Sequence, residues 1–126
     1  MEYNESFDPK MIQAIGILSI KQYERYKDII NPIDDAWWVH EDGDLLCGIA
    51  EKYANTEGGR FQTYGIRPAL SIINPFEYLE VGDRFKFKNY VWRMIDKDLA
   101  LCDGIVMAAN YREFDIQHML YVWLDK

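Results

Sequence analysis

The chain has 126 residues, 49% hydrophobic and 15% aromatic, enough for one domain (1–126) with a real core and too apolar for global disorder. Its longest near-continuous apolar run, 11–18, falls short of the roughly 20 residues that cross a bilayer. The net charge of −7 is concentrated: residues 33–57 carry Asp34, Asp35, Glu41, Asp42, Asp44, Glu51 and Glu57 against Lys52 alone, a net of −6.

Such a segment repels phosphates, which disfavours direct nucleic-acid binding. It suits either a basic protein partner or a solvated surface that keeps the protein soluble. The acidic, polar residues 1–8 do not read as a secretory leader, so a cytoplasmic location and no membrane association are expected. Cys47 and Cys102 lie in apolar contexts and are expected to be reduced, buried hydrophobes. With only His40 and His118 besides, no metal-ligand spacing arises and no cofactor is implied.

In chain order, 1–10 reads as a loose tail and 11–18 as a strand weakened by Gly16. Ser19 with Gln22 three residues on forms a capping box. Ile20, Tyr23, Tyr26 or Lys27, and Ile30 recur at helical spacing, predicting an amphipathic helix over 20–30 that Asn31-Pro32 ends. Residues 36–40 are a good strand, Asp42-Gly43 is a two-residue hairpin signal, and 44–50 is the return strand. The polar stretch 51–59 is a loop, 60–64 a further strand before Gly65, which permits a turn or a close backbone approach, and 68–73 another strand. Asn74-Pro75 is a break that divides the chain into halves 11–74 and 75–126.

The second half alternates strands at 84–88, 90–95, 99–102 and 105–108 with turns at Gly82-Asp83, Lys88-Asn89 and 96–98. Asp115 caps a closing helix over 115–124, whose Ile116, Met119, Leu120, Trp123 and Leu124 make one apolar stripe. That stripe packs on the sheet, or else, with an exposed Trp123, meets a partner. The class is α+β: a mainly antiparallel sheet with two short helices.

Two stretches carry a resemblance. Trp37-Trp38-Val39-His40-Glu41, followed across a variable loop by Gly65-Ile66-Arg67-Pro68-Ala69-Leu70, resembles W-W-L-R-S … G-V-R-P-A-L. That pattern marks a family of uncharacterised domains of Gram-positive bacteria, their phages and prophages. Val81-Gly82-Asp83 through Phe85, Phe87, Trp92 and Ile95 to Leu99-Ala100-Leu101-Cys102-Asp103 resembles a second segment of such proteins. The resemblance implies phage or prophage origin and no known activity. The Gly-Ile-Arg-Pro-Ala ending is also similar to C-type-lectin-like domains, implying that fold. His40 and Glu41 stand where the family has Arg-Ser, and the calcium triplets E-P-N and W-N-D of sugar-binding lectins are missing, as is the cysteine pair of formylglycine-generating enzymes.

Candidate chemistry is sparse. Arg67 is extended because Pro68 follows it. It either clamps an anion or stacks on Trp37 or Trp38 and bonds loop carbonyls, fixing a structural hub of Trp37, Trp38, Gly65, Arg67 and Pro68. His40 and Cys47 lie across the predicted hairpin, but its two-residue turn sets Trp38 opposite Cys47 and His40 opposite Leu45, so they make no nucleophile pair. Asp34, Asp35, Glu41, Asp42 and Asp44 lack calcium-loop spacing and read as an acidic face.

The expected function is a non-enzymatic protein-binding module. One version is an acidic inhibitor of a host nucleic-acid-handling or defence protein. A ligand-binding or enzymatic domain with a pocket near Arg67, and an oligomeric structural phage protein, are the alternatives.

Overall fold

Alternation along Arg84–Phe87, where buried Phe85 separates Arg84 from exposed Lys86, builds a strand with one dry and one wet face. The same logic recurs through the computed structural model, which describes residues 2–41, 46–49, 63–110 and 115–126. In chain order these form β1 (Ile12–Gly16), α1 (Ile20–Tyr26), β2 (Trp37–His40), β3 (Leu46–Ile49), β4 (Thr63–Ile66) and β5 (Ala69–Ile72). They continue with β6 (Arg84–Phe87), β7 (Tyr90–Asp96), β8 (Leu99–Cys102), β9 (Met107–Asn110) and α2 (Ile116–Leu124). The fold is α+β, with a five-stranded sheet ordered β1-β5-β8-β7-β6 and a four-stranded sheet ordered β3-β2-β4-β9. Pairing is antiparallel except between β2 and β4, which run parallel at Trp37 and Gly65.

The chain passes from one sheet to the other over short connections. Only Arg67 and Pro68 separate β4 from β5, and only 103–106 separate β8 from β9, yet each pair straddles the two sheets. The crossings run side by side: the Cys102 N–H donates to the Pro68 carbonyl at 2.9 Å and the Val106 N–H to the Ile66 carbonyl at 3.0 Å. A third crossing follows β1, where the His40 N–H donates to the Leu18 carbonyl at 2.9 Å. Because β5 pairs with β8 and β4 with β9, the expected halves 11–74 and 75–126 interleave, and the break at Asn74-Pro75 is no boundary in space.

The seam separates two buried clusters. One gathers Trp38, Tyr64, Leu70, Phe85, Trp92, Ile116 and Leu120, and the other Leu18, Ile30, Trp37, Ile95 and Leu101. Ser19 Oγ accepts from the Gln22 N–H at 3.1 Å, and Gln22 Oε1 accepts from the Ser19 N–H at 2.9 Å, completing the capping box. The helix stops at Tyr26, earlier than the spacing predicts. Both the Ile29 and Ile30 N–H groups turn back on the Tyr26 carbonyl, so a tight turn delivers Ile30 to the core without further helix.

The N-terminal segment is not a loose tail. The Asn4 N–H donates to the Arg84 carbonyl at 2.7 Å, its amide donates to Asp83 Oδ2 at 2.9 Å, and Phe7 stacks on Phe85 at 4.0 Å. Aromatic packing outweighs the polar composition that suggested a free end. Trp123 is likewise not exposed. It is half-buried against Tyr90 and Trp92, so the stripe of α2 is used within the chain.

Lys88 (φ 52°) and Asn89 (φ 67°) are both left-handed and form the primed two-residue turn that the twist of β6 and β7 favours. Phe76 (φ 60°) and Glu77 (φ 52°) are also left-handed, at roughly 1–2 kcal/mol per residue for an L side chain. No helix among the described residues is long and apolar enough to cross a membrane.

Candidate functional site

Pro68 holds Arg67 extended between two sheets, which turns its side chain into the seam. Its guanidinium is 0% exposed and lies over the Trp37 ring at 4.9 Å. Nε donates to the Cys102 carbonyl at 2.6 Å, and one terminal nitrogen donates to the Asn31 carbonyl at 2.7 Å. The same nitrogen approaches Asp103 Oδ1 at 3.8 Å, while Arg93 donates to Asp103 Oδ2 at 3.3 Å. A buried charge survives only when paired and hydrogen-bonded, and this one binds the loop after α1, the end of β8 and an aromatic face at once.

The two tryptophans serve opposite faces, as adjacent strand residues must. Trp37 joins Arg67 and the edge of Tyr23 in one cluster. Trp38 points to the other, where Nε1 donates to the Ala109 carbonyl at 2.7 Å and Tyr64 lies over the ring at 4.6 Å. Only Trp37 therefore meets Arg67.

Gly65 makes no turn. It sits inside β4, its N–H donating to the Ala36 carbonyl at 2.9 Å. A Cβ there would stand 2.5 Å from Ile105 Cδ1 and 2.7 Å from Cγ2, so glycine is required by close packing from the second crossing. Trp37, Trp38 and Arg67, the three residues that a ligand-binding reading needs, are all buried.

The thiol of Cys102 is buried in the same seam. Desolvation pushes its pKa up to about 12, against the opposing pull of the Gly104 N–H and Arg67, which keeps it protonated and non-nucleophilic. The pairing of β2 and β3 sets Val39 opposite Cys47 and His40 opposite Leu46. The predicted register is thus off by one residue. His40 and Cys47 are again not cross-strand partners. His40 Nδ1 is buried without a hydrogen-bond partner among the described residues.

Of the acidic residues, Asp34 and Asp35 are exposed just before β2 and Glu41 just after it. Ala36 and the four residues of β2 stand between Asp35 and Glu41. The carboxylates therefore flank the strand at both ends rather than forming one cluster. Asp42 and Asp44, with the predicted Asp42-Gly43 turn, lie outside the described residues. Among the described residues no group of three or more His, Cys, Asp or Glu is arranged to hold a metal ion.

Beside Asp35 an open groove of about 270 Å³ runs past Thr63, Tyr64, Gly65, Ile105 and Ala108. Reading the residues in order missed the partners that complete this seam: the Asn31 carbonyl, Asp103 and Ile105. Asp103 stands in a motif segment, but nothing in its spacing says that it faces Arg67. Comparison of the chain with family models, with curated proteins and with solved structures found no match.

Proposed function

We propose that this chain is a non-enzymatic protein-binding module of phage or prophage origin, acting in the host bacterial cytoplasm on a basic protein partner. What carries it is the contrast in how charge is housed. Arg67 is sealed and spent on carbonyls and Asp103, and the Cys102 thiol is held protonated. Asp35 and Glu41, by contrast, stand exposed at the two ends of β2. Exposed carboxylates offer a nucleic-acid-handling protein negative charge where it expects phosphate. The motif resemblance supports the origin, and the net of −6 over 33–57 supports the sign of the partner.

The test is capture from a Gram-positive host lysate, identification of the captured protein, and titration of that purified protein against the chain at two salt concentrations. The variant Asp35→Asn/Glu41→Gln/Asp42→Asn/Asp44→Asn is expected to bind at least about tenfold more weakly, mainly through slower association, with a flatter salt dependence. Equal affinity and equal salt dependence would overturn the assignment.

A further inference from the structure

Segment 73–81 combines exposed apolar side chains with left-handed backbone. Phe76 is 86% exposed, and Ile73 (51%), Tyr78 (57%) and Val81 (47%) are exposed around it. Phe76 and Glu77 hold left-handed backbone there, and the ring gains little burial in return, lying tilted to Tyr78 with centroids 5.8 Å apart. Strain with little local return is an outlier that points to use. The segment is nevertheless built firmly. The Asn74 amide donates to the Leu79 carbonyl at 2.6 Å and to the Lys97 carbonyl at 3.0 Å, and its oxygen accepts from the Leu79 N–H at 3.1 Å.

Next to the projecting ring lies a cavity of about 240 Å³, lined by Glu77, Leu79, Glu80, Val81 and Lys97. A cavity of about 150 Å³ already holds a benzene ring, so this one has room for a phenylalanine. Its own Phe76 does not fill it, since that ring projects to solvent. A knob and a hole side by side on one patch are what a two-fold interface requires, because each copy gives its knob to the other's hole. The rim agrees in charge. Lys97 pairs with Glu77 at 3.4 Å, both largely exposed, beside Glu80, and a ring entering the other copy's hole carries its neighbour Glu77 toward that copy's Lys97.

We infer that this chain self-associates through segment 73–81, Phe76 of each copy entering the cavity between Val81 and Lys97 of the other. The patch falls well below the roughly 800 Å² per partner of a standard interface, so the dimer is weak, with a dissociation constant of about micromolar or above. This is independent of the acidic surface at β2, which lies on the other sheet.

Sedimentation equilibrium of the full chain from about 1 µM to about 1 mM tests it. The mass is expected to rise from 14.9 kDa toward twice that value, and Phe76→Ala to weaken association at least about tenfold. Since the ring is exposed, the variant keeps the fold. Glu77→Lys and Lys97→Glu should each weaken association alone, and mixing the two single variants should restore it, which an ion pair confined within one copy would not do. A chain that stays at 14.9 kDa throughout, or a Phe76→Ala variant that associates as tightly as the parent, overturns the inference. So does a Phe76-dependent contact with vesicles or another protein by a chain that remains monomeric.

Discussion

The guanidinium carbon of Arg67 lies over the indole of Trp37, 4.9 Å from the ring centroid, at the point where the chain passes from one sheet to the other. That stack, with the carbonyls of Asn31 and Cys102, makes Arg67 the tie between the loop after α1 and both strand crossings. Arg67→Ala would leave Asp103 short of a partner and two inward carbonyls unpaired. The expected loss is about 3–5 kcal/mol, a large fraction of the roughly 5–15 kcal/mol that holds a domain. Arg67→Lys should recover less than half, because an ammonium on a flexible stem cannot reproduce the planar fork. Urea denaturation measures both, and a lysine variant as stable as the parent would sink this account.

Gly65→Ala makes a second, more local test. In an ordinary strand, alanine for glycine is favourable because glycine loses more freedom on folding. Here the new methyl would sit 2.5 Å from Ile105 Cδ1, so the sign reverses to a loss of about 1–3 kcal/mol from overpacking. Adding Ile105→Val removes Cδ1, the nearest atom, and should return part of it. The double-mutant cycle then shows a coupling between 65 and 105 of about 0.5 kcal/mol or more; additive effects would mean that Ile105 is not the obstacle.

These two residues also show what can be read from the chain before its fold is known. That Arg67 is extended follows from Pro68 alone, and both capped helices, β8 and the Lys88-Asn89 turn follow from local chemistry. Gly65 was legible only as permission for a turn or a close approach. Which of the two it is depends on Ile105, 40 positions away in sequence. The loose reading of 1–10 failed for the same reason, since Asn4 and Phe7 find their partners on β6 and just before it. The acidic segment was legible as charge, but its division between the two ends of β2 needed the strand.

The Tyr26 hydroxyl donates to the Asp96 carboxylate, joining the end of α1 to the end of β7. This bond, followed by the Lys97 N–H, lowers the Asp96 pKa below its ordinary 3.8. The same bond, followed by desolvation, raises that of Tyr26 above 10.0. A lowered carboxyl contributes stability above its unfolded value, lost as pH falls through the folded one; a raised phenol contributes below its unfolded value, lost as pH rises through the folded one. The difference in melting temperature between the parent and Tyr26→Phe should therefore be constant between about pH 5 and pH 9, and should shrink outside that range. Both groups are only partly buried, so the difference is small and falls with salt. A difference unchanged down to pH 2 would contradict the bond.

Asn74 gives the sharpest separation between shape and polarity. Its amide reaches the carbonyls of Leu79 and Lys97 while its oxygen receives the Leu79 N–H, and Leu79 itself is buried. Asn74→Ala leaves those groups unpaired beneath the segment, an expected loss of about 1–3 kcal/mol, with faster hydrogen exchange at the Leu79 amide and little change in β7 or β8. Asp at the same site has nearly the same volume and keeps the acceptor, so packing alone predicts a silent change. Its carboxylate, however, would face two carbonyl oxygens with no hydrogen to offer. Asn74→Asp should therefore be at least as damaging as Asn74→Ala at neutral pH, and should recover on acidification as the carboxyl gains a proton it can donate. Parallel urea titrations of the two variants at pH 7 and pH 4 measure this. An aspartate variant as stable as the parent at pH 7 would mean that the three bonds do not hold the segment.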